Sequence, residues 1–190
     1  MYEAIIFDCF DVLVSNGLPL YVNKYLADDI DKQSSIFKLE ESLNAGHINY
    51  ETFLLKVSEV SNVSLDETRR QMDDNEPDEE LFNYISKDLR PRFKLGMLSN
   101  AGDDWLDEMM GTDRRSLFDV IILSYQVGFT KPQPEIYQMT AQKLGVEPSQ
   151  CIMIDDKERY CDGARKAGMQ AVQYKNVHQM VGELNTLLAE

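Results

Sequence analysis

The sequence predicts an α/β protein with a doubly wound parallel sheet and a run of helices inserted after the first strand. Short apolar runs of strand length recur along the chain, and segments with helical periodicity separate them. Between residues 15 and 88 the pattern is helical, with no convincing strand. This alternation implies right-handed crossovers in the rest of the chain. We therefore expect residues 1–14 and 89–190 to form the core and residues 15–88 to form a helical cap.

The first strand is the apolar run that ends at Asp8, and it is apolar on both faces, as in the centre of a parallel sheet. Further strands are expected at 93–98, 119–123, 151–154 and 169–174, and core helices at about 103–115, 134–144, 158–167 and 177–188. Helices of the inserted segment are expected at 18–25, 34–44, 50–61 and 65–73, with Asn49 and Ser64 as N-caps.

The charge of the chain argues against some classes of partner. It has 33 acidic and 19 basic residues and a net charge of −14, so its long-range field repels nucleic acids and anionic membranes. The three cysteines are odd in number and lack CxxC spacing, which favours buried thiols in a reducing compartment. No signal peptide or segment of transmembrane length is visible. We expect a cytoplasmic protein, monomeric or homodimeric, with a small-molecule partner.

Polar side chains follow several of the predicted strands where each strand ends. In an open parallel sheet these ends lie at one edge, where ligands bind. Carboxylates there suit a hard cation such as Mg²⁺, which takes oxygen ligands and substrate phosphate. A lysine and a short hydroxyl suit phosphate oxygens, and a carboxylate facing a phosphoryl group can act as a nucleophile. The residues concerned are Asp8, Ser99, Asn100, Lys131, Asp155 and Asp156.

Four motifs of the chain resemble those of the haloacid dehalogenase (HAD) superfamily of hydrolases, in the subgroup whose helical cap follows the first strand. They are Ile-Ile-Phe-Asp8-Cys-Phe-Asp-Val-Leu-Val, Leu-Ser99-Asn100, the box Lys131-Pro-Gln-Pro-Glu-Ile-Tyr137, and Ile-Asp155-Asp156 running into Gly163-Ala-Arg-Lys-Ala-Gly168. The resemblance extends over nearly the whole chain, although the cap matches by position and helical character. It implies a Rossmann-like core and a Mg²⁺-dependent, phosphatase-like hydrolase of a small phosphorylated metabolite.

The resemblance also implies a role for each site residue. Asp8 would form an aspartyl-phosphate, and Lys131 would neutralise charge on the phosphoryl group and on Asp8. Ser99 and Asn100 would bind the phosphoryl oxygens. The implied ligands of Mg²⁺ are Asp8, the backbone carbonyl of Phe10, Asp156, and Asp155 directly or through water. These roles agree with the general needs of phosphoryl transfer, which are positioning and charge stabilisation.

The chain departs from the family pattern at two positions. Phosphatases of the superfamily usually carry a second Asp two residues after the nucleophile as general acid and base, and here that residue is Phe10. Asp11, one residue further, stands where a glycine is usual and points to the other side of an extended chain unless the loop is bulged. The loss of a general acid typically costs a factor of roughly 10²–10⁴ in rate. Tyr160 replaces an Asn that often follows the acidic pair.

Three functions remain open from these residues. The first is a Mg²⁺-dependent phosphatase, weakened by Phe10 or using another acid. The second is a catalytically impaired protein that binds a phosphorylated ligand or a partner protein. The third is a dehalogenase-type C–halogen hydrolase, since such members carry an aromatic residue at the position of Phe10. They use no metal, however, and without a cation the pair Asp155-Asp156 would be an electrostatic burden.

Substrate specificity in such a fold depends on cap residues that face the cleft. His47, Asn49 and Tyr50 lie in or beside a cap loop and could reach a ligand, although a turn with Asn49 as N-cap is the simpler interpretation. Trp105 and the pair Met109-Met110 are interpreted as packing residues rather than as part of a ligand site.

Overall fold

The computed structural model describes residues 1–189, which contain a sheet of five parallel strands in the order β3-β2-β1-β4-β5. The strands are β1 (Ala4–Phe7), β2 (Lys94–Ser99), β3 (Val120–Leu123), β4 (Cys151–Asp155) and β5 (Gln170–Gln173). The first strand lies in the centre and the chain winds outward in both directions from it. The predicted doubly wound α/β class is confirmed.

The register of the sheet brings the ends of its three central strands together. Phe7 pairs with Met97 of β2 and with Ile154 of β4, and the backbone N–H of Asp8 donates to the carbonyl of Ile154 at 2.8 Å. All four residues of β1 are buried, as its apolar sequence on both faces requires. The residues that follow β1, β2 and β4 therefore leave the sheet at the same edge.

Helices cover both faces of the sheet and form two hydrophobic cores with it. One core contains Phe7 and Leu95, and the other contains Ile6 and Met153, each together with side chains of the helices that cover that face. The three cysteines are free and buried. The helices after β2 are α6 (Leu106–Arg115), α7 (Ser124–Val127), α8 (Pro134–Leu144), α9 (Glu158–Lys166) and α10 (Val177–Ala189).

Four helices between β1 and β2 enclose a third hydrophobic core, centred on Tyr21, Ile36 and Leu54. They are α1 (Gly17–Leu26), α2 (Ile30–Asn44), α3 (Tyr50–Ser61) and α4 (Leu65–Met72), and we call them the cap. Asn49 and Ser64 cap α3 and α4, as the sequence predicts. The second helix begins four residues earlier than expected because Asp29 accepts a hydrogen bond from the N–H of Lys32 and caps it there.

The stretch after the cap contains a helix that the sequence pattern did not indicate. Helix α5 (Glu79–Tyr84) continues into a π-helical turn, Ile85–Leu89. Its apolar side chains Leu81, Ile85 and Leu89 belong to the same core as Phe7, so this stretch packs with the sheet. The predicted boundary between cap and core at residue 88 stays a prediction. In the structure, side chains pack in the cap up to α4 and against the sheet from α5 onward. Among residues 1–189, no helix has the length and apolar character needed to cross a membrane.

Candidate active site

Asp8 lies at the carboxyl end of the central strand, and the residue is only 6% exposed. Its Oδ1 accepts a hydrogen bond from the backbone N–H of Cys9 at 2.7 Å and forms an ion pair with Lys131 Nζ at 2.8 Å. Both contacts are to Oδ1, so Oδ2 is the oxygen that is available to act as a nucleophile. Because the strand and a backbone N–H hold the carboxylate from behind, Asp8 is a rigid, preorganised group.

Asn100 positions Lys131 through its backbone. The Asn100 side chain accepts from the N–H of Lys131 at 2.7 Å and donates to the Lys131 carbonyl at 3.0 Å. The ammonium of Lys131 is buried between two carboxylates and lies 2.6 Å from Asp155 Oδ2. Burial alone would lower the pKa of Lys131, but the charges of Asp155 and Asp8 outweigh it and raise that pKa, so the ammonium stays protonated.

Three carboxylates meet at this edge, as the sequence predicts. Each of Asp8, Asp155 and Asp156 offers an oxygen, and these oxygens lie within 4.8 Å of one another. Asp155 Oδ1 also accepts from the N–H of Lys157 at 3.0 Å. Asp156 Oδ1 is buried and has no hydrogen-bond partner among residues 1–189. A buried carboxylate oxygen without a donor is costly unless a cation or proton meets it.

The electrostatics of this cluster favour an added positive charge. Burial, followed by the charge of Asp8, raises the pKa of Asp155 to about 7 and the pKa of Asp156 to about 6. Lys131 compensates only part of the negative charge of three neighbouring carboxylates. An all-oxygen set of this kind is the donor set that Mg²⁺ prefers. The residues present therefore fit a divalent cation at this edge.

A cavity of about 520 Å³ lies between the cluster and the cap. Ser99, Asn100 and Lys131 border it from the sheet, and Ser99 Oγ is buried without a hydrogen-bond partner among the described residues. A free buried hydroxyl beside a buried lysine is suited to an anionic oxygen. On the cap side the lining includes Leu43, Tyr50, Phe53, Arg69, Met72 and Asp73. This volume is typical of a small-molecule site.

Phe10 and Asp11 face different spaces. Phe10 borders the cavity, and its ring packs edge to face on Trp105, with 5.4 Å between the ring centroids. Asp11 has a left-handed backbone, with φ of 60°, and its carboxylate accepts from Asn16 Nδ2 at 3.1 Å. It borders a neighbouring cleft together with Asp156, and not the cavity that Asp8 borders. The side chain of Asp11 therefore does not take the place that an Asp at position 10 would have.

Some residues of the cavity wall are not predicted from the sequence. Trp105 and Met109, expected to be packing residues, line the cavity, whereas Met110 is buried in the core. Trp105 lies five residues after Asn100, which follows the end of β2, and this position could have indicated that it lines the site. Tyr160 is buried with Lys131 Nζ 4.8 Å from its ring centre, a cation–π contact. His47 is exposed and lies outside the cavity lining.

The site contains residues of all four motifs, and comparison with known proteins assigns the chain to the family that these motifs resemble. A family model described as haloacid dehalogenase-like hydrolase matches residues 2–168, so the chain belongs to that family. A fructose-1-phosphate phosphatase of Escherichia coli is 36% identical over 61 residues, which are 32% of this chain and 32% of that enzyme. A D-ribitol-5-phosphate phosphatase of Bacteroides thetaiotaomicron is 26% identical over 208 residues, covering 99% of each chain.

The fold also matches that of a HAD family enzyme from Bacteroides thetaiotaomicron, solved in complex with magnesium and inorganic phosphate. The TM-score is 0.72 at 20% identity, and the match covers 92% of this chain and 95% of that chain. At this identity the likeness supports the fold. The chain is thus a haloacid dehalogenase-like hydrolase with a parallel core sheet.

Proposed function

We propose that this protein is a Mg²⁺-dependent phosphomonoesterase that acts on a small phosphorylated metabolite and forms an aspartyl-phosphate at Asp8. The observation that carries the proposal is the meeting of Asp8, Asp155 and Asp156 within 4.8 Å beside a cavity of about 520 Å³. Relatives named as phosphatases of fructose 1-phosphate and D-ribitol 5-phosphate support phosphate monoesters as the substrate class. The structural relative that holds magnesium and phosphate supports the cation.

The chain's own residues would bind the phosphoryl group and supply the nucleophile. Ser99 Oγ donates to a phosphoryl oxygen, because it is a buried donor with no other partner among the described residues. Lys131 neutralises charge on the phosphoryl group and pairs with the Asp8 carboxylate at 2.8 Å. Asp8 Oδ2 attacks phosphorus. The main role of Asn100 is to hold the Lys131 backbone, and its amide borders the cavity as a further donor.

The cation would lie among Asp8, Asp156 and the Phe10 carbonyl, with Asp155 contributing directly or through water. When bound, it supplies positive charge that neutralises the phosphoryl oxygens and the carboxylates. Asp155 is committed to Lys131 and to the N–H of Lys157, so its main part is to orient the lysine. Asp156, whose Oδ1 has no protein donor among residues 1–189, is the stronger candidate for direct ligation.

The test is hydrolysis of p-nitrophenyl phosphate and acetyl phosphate by the purified protein, with Mg²⁺ and with excess chelator. We expect weak turnover that requires Mg²⁺ and disappears in Asp8→Asn. Asp162→Asn is the matched control, since Asp162 is an exposed carboxylate on α9 that pairs with Arg165 and lies outside the cavity lining. That variant should keep wild-type turnover.

The same experiment separates the other functions. Equal turnover with and without chelator would contradict the metal requirement, and chloride release from chloroacetate would support the dehalogenase. Binding of Mg²⁺ without turnover of a broad panel of phosphate esters would favour a phospho-ligand or partner-binding protein. The cytoplasmic location and the monomeric or homodimeric state remain predictions from the sequence, as does the absence of nucleic-acid and membrane partners.

A further inference from the structure

The wall beside the nucleophile is aromatic, where an acid would be expected. Phe10 follows Asp8 by two residues, borders the same cavity, and packs edge to face on Trp105 at 5.4 Å. Trp105 in turn meets Tyr50 of the cap edge to face at 6.4 Å, and Tyr50 stacks with Phe53 at 6.1 Å. These four rings, which we call the aromatic wall, run from the nucleophile to the cap.

The carboxylates around the cavity are poorly placed to replace the missing acid. Asp73 accepts from the Tyr50 hydroxyl at 2.6 Å, and Asp104 is held by Arg115 at 2.8 Å. Asp11 faces the neighbouring cleft. Glu40 of the cap borders both spaces, and burial raises its pKa above the usual range despite the positive charges of Lys157 and Arg159. Asp103 and Glu108 also border the cavity, but both are exposed, so Glu40 is the acid that we retain as an alternative, and the experiment below includes it.

A site with an aromatic residue where the acid beside the nucleophile would be favours leaving groups that need no proton. An alkoxide is nearly as basic as hydroxide, whose parent water has a pKa of about 15.7. A phenolate, the conjugate base of a group with a pKa of about 10, departs far more readily as an anion. The aromatic wall offers such a leaving group flat, apolar faces to pack on. Asp103 and Glu108 on the cavity border disfavour a second negative charge on the substrate.

From this geometry we propose that the site takes phosphate monoesters of flat, uncharged phenols, which leave as phenolates without a proton from the protein. The inference rests on the proposed function and names its substrate class. Asp8 Oδ2 forms a bond to phosphorus, the phosphorus–oxygen ester bond breaks, and its electron pair stays on the phenolate. Water then attacks the aspartyl-phosphate at phosphorus, which releases the Asp8 carboxylate and dihydrogen phosphate. The phenolate takes its proton from this phosphate or from solvent.

The first experiment compares two esters of nearly the same shape. Phenyl phosphate and benzyl phosphate both carry one benzene ring, but the first leaves as a phenolate and the second as an alkoxide. We expect kcat/KM for phenyl phosphate to exceed that for benzyl phosphate by roughly 10²-fold or more, the range that a general acid would otherwise supply. Phe10→Asp should raise turnover of benzyl phosphate by more than tenfold relative to phenyl phosphate. Glu40→Gln should leave the ratio between the two esters unchanged.

The second experiment tests the aromatic wall. Trp105→Leu should raise KM for 2-naphthyl phosphate about tenfold more than it raises KM for acetyl phosphate, because acetate has no flat ring to pack on the wall. Trp105 is the one tryptophan of the chain, so its fluorescence reports on the wall directly. In Asp8→Asn, phenyl phosphate should quench this fluorescence at lower concentration than glycerol phosphate does. This binding measurement needs no turnover.

The outcomes separate this inference from the proposed function. Hydrolysis of benzyl and phenyl phosphate at equal rates, or a ratio that shifts in Glu40→Gln, would overturn the substrate class and leave the phosphatase intact. Equal quenching by phenyl phosphate and glycerol phosphate would also overturn it. No turnover of any ester or of acetyl phosphate would overturn the proposed function itself, and the quenching measurement would still decide whether aryl phosphates bind.

Discussion

Lys131 and Asp155 form a buried ion pair, with Nζ 2.6 Å from Oδ2 and both side chains at most 1% exposed. The same ammonium lies 2.8 Å from Asp8, so one positive charge is shared by two carboxylates. Such a pair contributes little net stability relative to apolar residues, but breaking it leaves buried charge without compensation. Lys131 therefore contributes both to the stability of the core and to the charge around the nucleophile, Asp8.

Lys131→Met should therefore cost both activity and stability. We expect turnover to fall to background, and the free energy of unfolding to drop by about 3–5 kcal/mol near neutral pH in chelator. The loss should shrink as the pH is lowered, because Asp155, whose pKa burial raises to about 7, can then become neutral. Urea denaturation at several pH values measures this. Lys56→Met, at an exposed position on α3, should stay within about 0.5 kcal/mol of wild type. A similar loss in both variants would contradict the role of the buried pair.

The pH dependence of stability should change sign with Mg²⁺. Burial and the charge of Asp8 raise the pKa of Asp156 from 3.8 to about 6 in the folded protein. The folded state therefore binds this proton more tightly than the unfolded state does. In chelator, the stability that protonated Asp156 contributes is fully present below pH 3.8 and is lost as the pH rises through about 6. A bound cation favours the ionised carboxylate, so with Mg²⁺ stability should rise over the same interval.

Thermal unfolding of wild type and Asp156→Asn from about pH 4 to pH 7 checks this prediction. The variant lacks the titrating group, so the difference between the two proteins isolates its contribution. The difference should fall with rising pH in chelator and grow with rising pH in Mg²⁺. A difference that is independent of both pH and Mg²⁺ would show that Asp156 neither changes its pKa on folding nor binds the ion.

Much of the fold followed from local patterns in the sequence. The apolar run ending at Asp8 predicted the central strand because strands in the middle of a parallel sheet are covered on both faces. Asn49 and Ser64 were identifiable as caps because their side-chain oxygens satisfy free N–H groups of the helix. Helix α5 was not predicted, since its apolar face is short and becomes defined only when it packs on the sheet.

The site was predictable where it depends on strand ends and less so where it depends on the cap. Strand order alone brings Asp8 and Asp155 together, so their meeting could be inferred from topology. Trp105 was interpreted as a packing residue because periodicity cannot distinguish the wall of a core from the wall of a cavity. The orientation of Asp11 depends on a left-handed backbone at that residue, which no local sequence pattern specifies.

Gly163 allows helix α9 to approach the loop that carries Lys131. A Cβ at this position would lie 2.8 Å from both the Cβ and the carbonyl oxygen of Pro132, so Gly163→Ala must move that loop. We expect lower thermal stability and at least tenfold lower turnover of p-nitrophenyl phosphate, because Lys131 moves with Pro132. The matched control is Gly182→Ala in α10, where a Cβ meets nothing within 4 Å. That variant should gain up to about 1 kcal/mol in stability and keep its activity. Full activity in Gly163→Ala would show that the loop yields without moving Lys131.

Gly102 lies where the core contacts the cap, beside Leu43 of α2. A Cβ there would lie 2.8 Å from the Leu43 carbonyl oxygen, and its closest neighbour would be the Leu43 side chain. The adjacent link is Ser124, whose Oγ accepts from the N–H of Ala101 at 2.9 Å and lies 2.7 Å from the Asn44 carbonyl. Gly102→Ala should therefore push the end of α2 away from the sheet and open the cavity on the cap side.

The catalytic residues at the strand ends would stay in place when the cap opens. We therefore expect Gly102→Ala to raise KM for 2-naphthyl phosphate several-fold, to change kcat for acetyl phosphate by less than about twofold, and to speed proteolysis between α1 and α4. Steady-state kinetics and limited trypsin digestion measure this, with Gly182→Ala as the control for a glycine replaced without a clash. If KM and proteolysis both stay at wild-type values, Leu43 adapts locally and this contact does not set the position of the cap. If kcat falls equally for both substrates, the added methyl group disturbs the loop after Asn100 rather than the cap.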